Sequence, residues 1–270
     1  MLGKRIATAV VLGLVIVGAV LVLDTWLAAL VLGFFWLVGA WEWGGLAGFG
    51  TSGRLAVAAA FAAIVFAVLF AGVPARVIDT VLFAAAGLWV AAFVAVLRYP
   101  PRFPPLLIAA FGIVLLAAAW LAFYRVHLGV GAAAGRGPAL ILAGLVIVWC
   151  ADIGAYFAGR RFGRAKLAPR VSPGKTWEGV AGGVALAIAA GFAAAWLVDR
   201  PPLTLALVAA AMALISVVGD LSVSLLKRWA GWKDSGVLLP GHGGVLDRFD
   251  GVTAALPFFA LGLQFAHVLD

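Results

Sequence analysis

Charged residues make up only 11% of this 270-residue chain, and it contains one cysteine and three histidines. So little charge cannot cover the surface of a water-soluble globule, and 66% hydrophobic residues with a mean hydropathy of +1.17 point to a chain built for lipid. A lone thiol, Cys150, excludes an intramolecular disulfide and any cysteine-rich metal cluster. It lies in an apolar run and reads as a packing residue. No internal repeat is visible, so the inverted-repeat architecture of many transporters finds no support.

What is present is a series of long apolar runs. A helical span needs about 20 apolar residues. Cutting the chain at charges, prolines and glycine clusters gives nine spans, near 6–23, 26–41, 55–71, 77–97, 105–124, 138–158, 178–198, 203–226 and 252–269. The breaks are a glycine cluster from Gly44 to Gly53, prolines at 100, 101, 104 and 105, and Pro201 with Pro202. The first run, behind Lys4 and Arg5, is longer than a secretory signal core and lacks a small-residue cleavage site, so it reads as a retained span. The expected fold is all-α, a polytopic integral membrane protein with spans one to five in residues 1–137 and a catalytic region in 138–270.

The formal charge of +8 would suggest nucleic acid in a soluble protein. Here the cations lie between spans, which favours phosphate at a membrane surface and no nucleic-acid partner. With the N-terminus inside, fifteen of the 19 basic residues fall on the cytoplasmic side, and only Arg76, Arg125, Arg136 and Arg200 fall outside. The charge pattern therefore predicts a multi-pass protein of the inner cell membrane with cytoplasmic loops at 159–177 and 227–251. Both loops are long, polar and rich in Gly, Lys, Arg and Asp, and loops of that length usually carry function.

Asp152 lies eight residues before Arg160, and Asp220 seven before Lys227. Both carboxylates then sit roughly 10–12 Å below the cytoplasmic helix ends. A carboxylate at that depth costs on the order of 3 kcal/mol or more unless it is paired, hydrated or bound to a cation, so one shared polar cavity is expected. Spacings of four and three place Asp220, Ser224 and Lys227 on one helix face.

Residues 224–250, SLLKRWAGWKDSGVLLPGHGGVLDRFD, follow that face. Lys227, Arg228, Lys233 and Arg248 supply cations for phosphate. Gly241, Gly243 and Gly244 around His242 let backbone amides approach phosphate oxygens. Asp234, Asp247 and Asp250 add hard oxygen ligands which, with Asp220, suit Mg²⁺. The other loop carries VSPGKTWEG, residues 171–179. There Ser172, Lys175 and Thr176 at a helix start form an anion site, or else Ser172 or Thr176 caps the helix.

The segment from Ser224 to Asp250 resembles the signature of the phosphatidate cytidylyltransferase family. The shared features are the serine, the Lys227-Arg228 and Lys233-Asp234 pairs, the GHGG turn and the Asp247-Arg248-Phe249-Asp250 ending. SPGKTWEG and the multi-span N-terminal part are similar to that family as well. The resemblance implies a membrane enzyme that condenses CTP with phosphatidate to CDP-diacylglycerol and pyrophosphate, dependent on Mg²⁺, with room for a monovalent cation such as K⁺. Mapped onto this sequence, Asp220, Asp247, Lys227 and Arg248 carry catalysis. Asp220 and Asp247, then Asp152 and Asp250, are the metal ligands. Ser172, Lys175, Ser224, Arg228, Lys233, Gly241, His242, Gly243 and Gly244 contact substrate. Expected partners are CTP, phosphatidate and membrane lipids, and a homodimer is compatible with the sequence. The alternatives are a related cytidylyltransferase or lipid kinase acting on another lipid, and an ion or phosphate transporter.

Overall fold

The computed structural model describes residues 2–99, 102–129, 131–198, 201–239 and 243–269, without the side chains of residues 2–7, 9, 132, 197 and 198. Pro100, Pro101, Arg200, Pro240, Gly241 and His242, and the side chains of Lys4 and Arg5, lie outside that description. Nine α-helices are described: α1 Leu2–Val22, α2 Thr25–Ala47, α3 Thr51–Phe66, α4 Ala75–Arg98, α5 Pro105–Leu128, α6 Gly137–Phe162, α7 Trp177–Val198, α8 Pro202–Ala230 and α9 Leu246–Phe265. A π-helical turn, Ala67–Ala71, prolongs α3.

The protein is an all-α membrane protein. Seven of the described helices, α2 to α8, are long and apolar enough to cross a bilayer, with α3 counted through Ala71. Two expected spans stand outside that count. The described side chains of α1 give only the shorter apolar stretch Val10–Val22, and the first turns of α9 carry Asp247, Arg248 and Asp250. Leu14, Phe66, Phe70, Phe157 and Trp196 are exposed, as suits a surface whose solvent is lipid.

Two polar layers mark opposite ends of the bundle. At one end, Arg125 near the close of α5 pairs with Asp79 at the start of α4, and Gln264 of α9 donates to the same carboxylate at 3.4 Å. His127 Nε2 donates to the Val20 carbonyl at 2.9 Å, which leaves Nδ1 to accept from Thr25 Oγ1 at 3.0 Å. The end of α1, the start of α2 and the end of α5 are thereby joined. At the other end, the closing turns of α2 and α8 meet the start of α9. Successive helices thus run up and down, as the charge pattern expects.

Between these layers, three core tryptophans bury their rings and satisfy their N–H groups. Trp36 Nε1 donates to Thr253 Oγ1, Trp43 Nε1 to the Ile108 carbonyl and Trp120 Nε1 to the Ala29 carbonyl, at 3.1, 2.8 and 2.9 Å. One contiguous cluster of buried side chains runs from α1 to α9.

The expected loop at 159–177 is shorter and more ordered than a loop. Helix α6 continues to Phe162, and two short antiparallel strands follow, β1 Lys166–Ala168 and β2 Ser172–Thr176, with Lys166 opposite Thr176 and Ala168 opposite Ser172. The Glu178 carboxylate accepts from the Ala165 amide at 3.1 Å, and the Trp177 amide donates to the Ala165 carbonyl at 2.9 Å, closing the hairpin onto α7.

Helices α6 and α7 approach through small residues, as membrane helices do where backbones must come close. A Cβ on Gly182 would fall on the Cβ of Ala158, and one on Gly154 would meet the Gly182 carbonyl oxygen. Gly182→Val is therefore expected to destabilise the bundle by about 1–3 kcal/mol through overpacking. Gly87→Ala, whose added carbon meets nothing within 4 Å, serves as the control. Thermal unfolding in detergent checks the pair, and equal midpoints would remove the close-approach argument.

Candidate active site

Helices α6, α7 and α8 with strand β2 enclose a cavity of about 450 Å³ at the end of the bundle that carries the hairpin. Asp152, Tyr156 and Arg160 reach it from α6, Lys175 and Thr176 from β2, Gly179 and Gly183 from α7, and Ser216 and Asp220 from α8. Asp152 and Asp220 each lie ten residues before the end of their helix, roughly 15 Å along the axis, so the shared depth and shared cavity both hold.

Lys175 Nζ lies 2.6 Å from Asp220 Oδ2, with the two side chains 25% and 41% exposed. Ser224 Oγ donates to the other oxygen of Asp220 at 3.2 Å. Lys175, Asp220 and Arg248 are the charges that act on Asp152. Asp250 lies in the fields of Asp220, Lys175 and Lys227 where α9 crosses α8, its backbone carbonyl against Gly219. The cavity thus combines carboxylates and an ammonium inside an apolar bundle, with its central pair open to solvent.

Thr176 is the helix cap of the two alternatives, since its Oγ1 accepts from the Gly179 amide at 3.2 Å. Gly179 and Val180, in the first turn of α7, line the cavity wall. Ser172 opens β2 and does not line the cavity. Arg228 Nε donates to the Val171 carbonyl at 3.3 Å, tying α8 to the hairpin.

The second loop is residues 231–245 in the structure, because α8 runs on to Ala230 and α9 begins at Leu246. Asp247 organises it. Its Oδ1 accepts from Lys227 Nζ at 2.6 Å, and its Oδ2 accepts from the amides of Ser235 and Gly244 at 2.8 and 3.1 Å. Leu239 and Gly243 form a bridge, and Gly243 has φ +81°, a conformation for which glycine is suited. Lys233 and Asp234 are exposed on this loop, while Arg248 points into a separate groove of about 250 Å³ with Thr8, Leu12, Trp149 and Val252.

Some of the arrangement lies outside the sequence reading. Glu42, near the end of α2, is 2% exposed and accepts three hydrogen bonds from the second loop and the start of α9. Ser235, fully buried, donates to it. Spacing gave no hint of this contact across 193 residues. Tyr156 and Arg160 were within reach of the sequence, since steps of four from Asp152 put both on its helix face. Their contact is direct, Arg160 Nη1 donating to Tyr156 Oη at 3.0 Å.

Fold and site together define a polytopic helical membrane protein with a charged cavity suited to phosphate chemistry at the depth of a bilayer. The sequence profile of the cytidylyltransferase family matches residues 3–266, and the chain belongs to that family. It is 44% identical over 274 residues to a phosphatidate cytidylyltransferase of Pseudomonas aeruginosa, covering 96% of each chain. Phosphatidate cytidylyltransferases of Haemophilus influenzae and Bacillus subtilis are 50% and 44% identical over 131 and 124 residues, a little under half of each chain.

Proposed function

We propose that the protein transfers the cytidylyl group of CTP to phosphatidate, releasing pyrophosphate and leaving CDP-diacylglycerol in the membrane. The observation that carries this reading is the Lys175–Asp220 pair in a solvent-open cavity bounded by three membrane helices. Family membership and the near full-length relative support the same chemistry.

In the reaction, a phosphatidate oxygen attacks the α-phosphorus of CTP. The new P–O bond forms as the bond from that phosphorus to the β-phosphate oxygen breaks, and pyrophosphate takes the electron pair. A phosphate monoester has its second pKa near 6, so the nucleophile is already largely anionic at neutral pH and no strong base is required. The barrier is the approach of two anions and the charge on the leaving group, which fixed cations lower by position and electrostatics. Lys175 and Arg160 on the cavity wall hold the phosphates, while Arg248 lies in the neighbouring groove and the Lys227–Asp247 pair holds the second loop. Acyl chains stay among the helices.

Mg²⁺ fits the donor set. Among the described residues no group of three or more His, Cys, Asp or Glu side chains is placed to hold a metal alone. Mg²⁺, however, commonly takes one or two carboxylates and completes its shell with substrate phosphates and water. Asp220 and Asp152, on one cavity, would supply the carboxylates, and the ion would neutralise charge on CTP. Asp250 would add to the negative field. Asp247 is not among the residues that line the cavity, and it serves first to hold Lys227 and the loop. The proposal includes K⁺ as a second cation, a homodimer, and an inner-membrane location with the hairpin end facing the cytoplasm.

Purified protein in detergent is expected to release pyrophosphate only when CTP, phosphatidate and Mg²⁺ are all present, with CDP-diacylglycerol as the lipid product. Turnover of diacylglycerol or a polyprenol in place of phosphatidate would sink the substrate assignment.

A further inference from the structure

From the N-terminal half of the chain, Glu42 of α2 reaches the second loop and the start of α9. Glu42 Oε1 accepts from the Val245 amide at 3.0 Å, and Oε2 accepts from Ser235 Oγ and the Leu246 amide, both at 2.8 Å. Ser235 lies in the second loop, and Val245 and Leu246 lie at the junction of that loop with α9. Val245 and Leu246 stand at the start of α9, where helical amides lack partners within the helix. The carboxylate therefore caps α9 from another helix, and its charge suits the positive end of the helix dipole.

Ser235 is gripped twice, its hydroxyl by Glu42 and its amide by Asp247. The packing is tight enough to dictate glycine. A Cβ on Gly236 would fall on the Glu42 carboxylate, and one on Gly244 would fall on Ser235 Oγ and the same carboxylate. Gly244, the last glycine of the GHGG motif, is thus required by the neighbouring Glu42, a reason independent of phosphate.

We propose that Glu42 is a positioning residue of the active site: it fixes Ser235, Val245 and Leu246 so that Asp247 and Lys227 stand where the reaction needs them, without touching substrate. This rests on the cavity being the cytidylyltransferase site. A carboxylate is required because the group meets three donors. Glutamine offers one oxygen and one NH₂, so either the Val245 or the Leu246 amide is left facing a donor. A buried donor without a partner is costly enough to move the segment.

The test compares purified Glu42→Gln and Ser235→Ala with wild type in pyrophosphate release and in amide hydrogen exchange. Glu42→Gln is expected to lower kcat by about 10–100-fold, the range seen when a partner that orients a functional group is lost. Its KM for CTP should stay within about threefold, since no substrate contact is removed. The Val245 and Leu246 amides should exchange faster while those of α6 and α7 keep wild-type rates. Ser235→Ala should show a smaller loss of kcat, and the double variant should match Glu42→Gln instead of multiplying the two losses.

Wild-type kcat and exchange in Glu42→Gln would overturn the proposal, and so would a loss confined to KM. If Glu42→Gln does not fold, Ser235→Ala decides: lowered kcat at unchanged thermal stability supports the role, and full activity ends it. Silence in wild type would instead count against the cytidylyltransferase reading, and the exchange rates alone would then judge the loop contact.

Discussion

Asp220→Asn lowers turnover by about 10²–10³-fold, comparable to the loss of a group that stabilises transition-state charge, and leaves the helix bundle intact. The asymmetry follows from where the charge sits. The Asp220 side chain is 41% exposed to the cavity, so its pair with Lys175 is screened by water and adds little to stability. Asparagine keeps the size and still offers Ser224 an acceptor. What disappears is the negative charge that orients Lys175 and, in the proposed reaction, helps hold Mg²⁺ against the phosphates. Of the two carboxylates that attract Lys175, only Asp152 then remains. Pyrophosphate release and thermal unfolding, measured on the same preparation, separate the two effects. Activity within threefold of wild type would remove Asp220 from the chemistry. A large drop in unfolding midpoint would instead make it a structural residue.

Much of this architecture was legible because lipid simplifies the sequence code. Apolar runs cut by charge, glycine and proline located the nine helices among the described residues, and α4 at Ala75–Arg98 and α7 at Trp177–Val198 match the expected 77–97 and 178–198 closely. Their polar ends were harder. Helix α6 runs on to Phe162 and α8 to Ala230 because charged residues continue a helix once its backbone bonds are satisfied beyond the apolar core, a feature that hydropathy cannot register. The β1–β2 hairpin escaped because β2, Ser172–Thr176, contains proline and glycine and shows no alternation of apolar and polar residues. In the site, helical spacing brought Asp152 and Asp220 to one cavity and put Ser224 beside Asp220. It could not pair Lys227 with Asp247 across a loop, nor find Glu42, because contacts between distant segments leave no local period. A single acidic residue between Trp41 and Trp43 was nevertheless a signal, since a carboxylate in so apolar a run needs partners.

Lys227→Met is expected to abolish turnover and to destabilise the protein as well, which separates it from Asp220→Asn. The side chains of Lys227 and Asp247 are only 15% and 4% exposed. Removing one member of a buried ion pair leaves the other charge uncompensated, at a cost of up to about 3–5 kcal/mol. The amides of Ser235 and Gly244 still hold one oxygen of Asp247, so the loop loosens first and the helices follow. Asp247→Asn strands Lys227 instead, because an asparagine that keeps its oxygen toward the Ser235 and Gly244 amides turns its NH₂ toward the lysine. The double replacement, Lys227→Met with Asp247→Asn, buries no unpaired charge and should recover part of the stability lost in either single variant. It should recover none of the activity, because the loop geometry and the cation are both gone. Thermal unfolding of the four proteins completes a double-mutant cycle, read beside pyrophosphate release. Additive losses of stability would mean that the pair does not hold the loop. Activity in the double variant would mean that neither side chain serves the reaction.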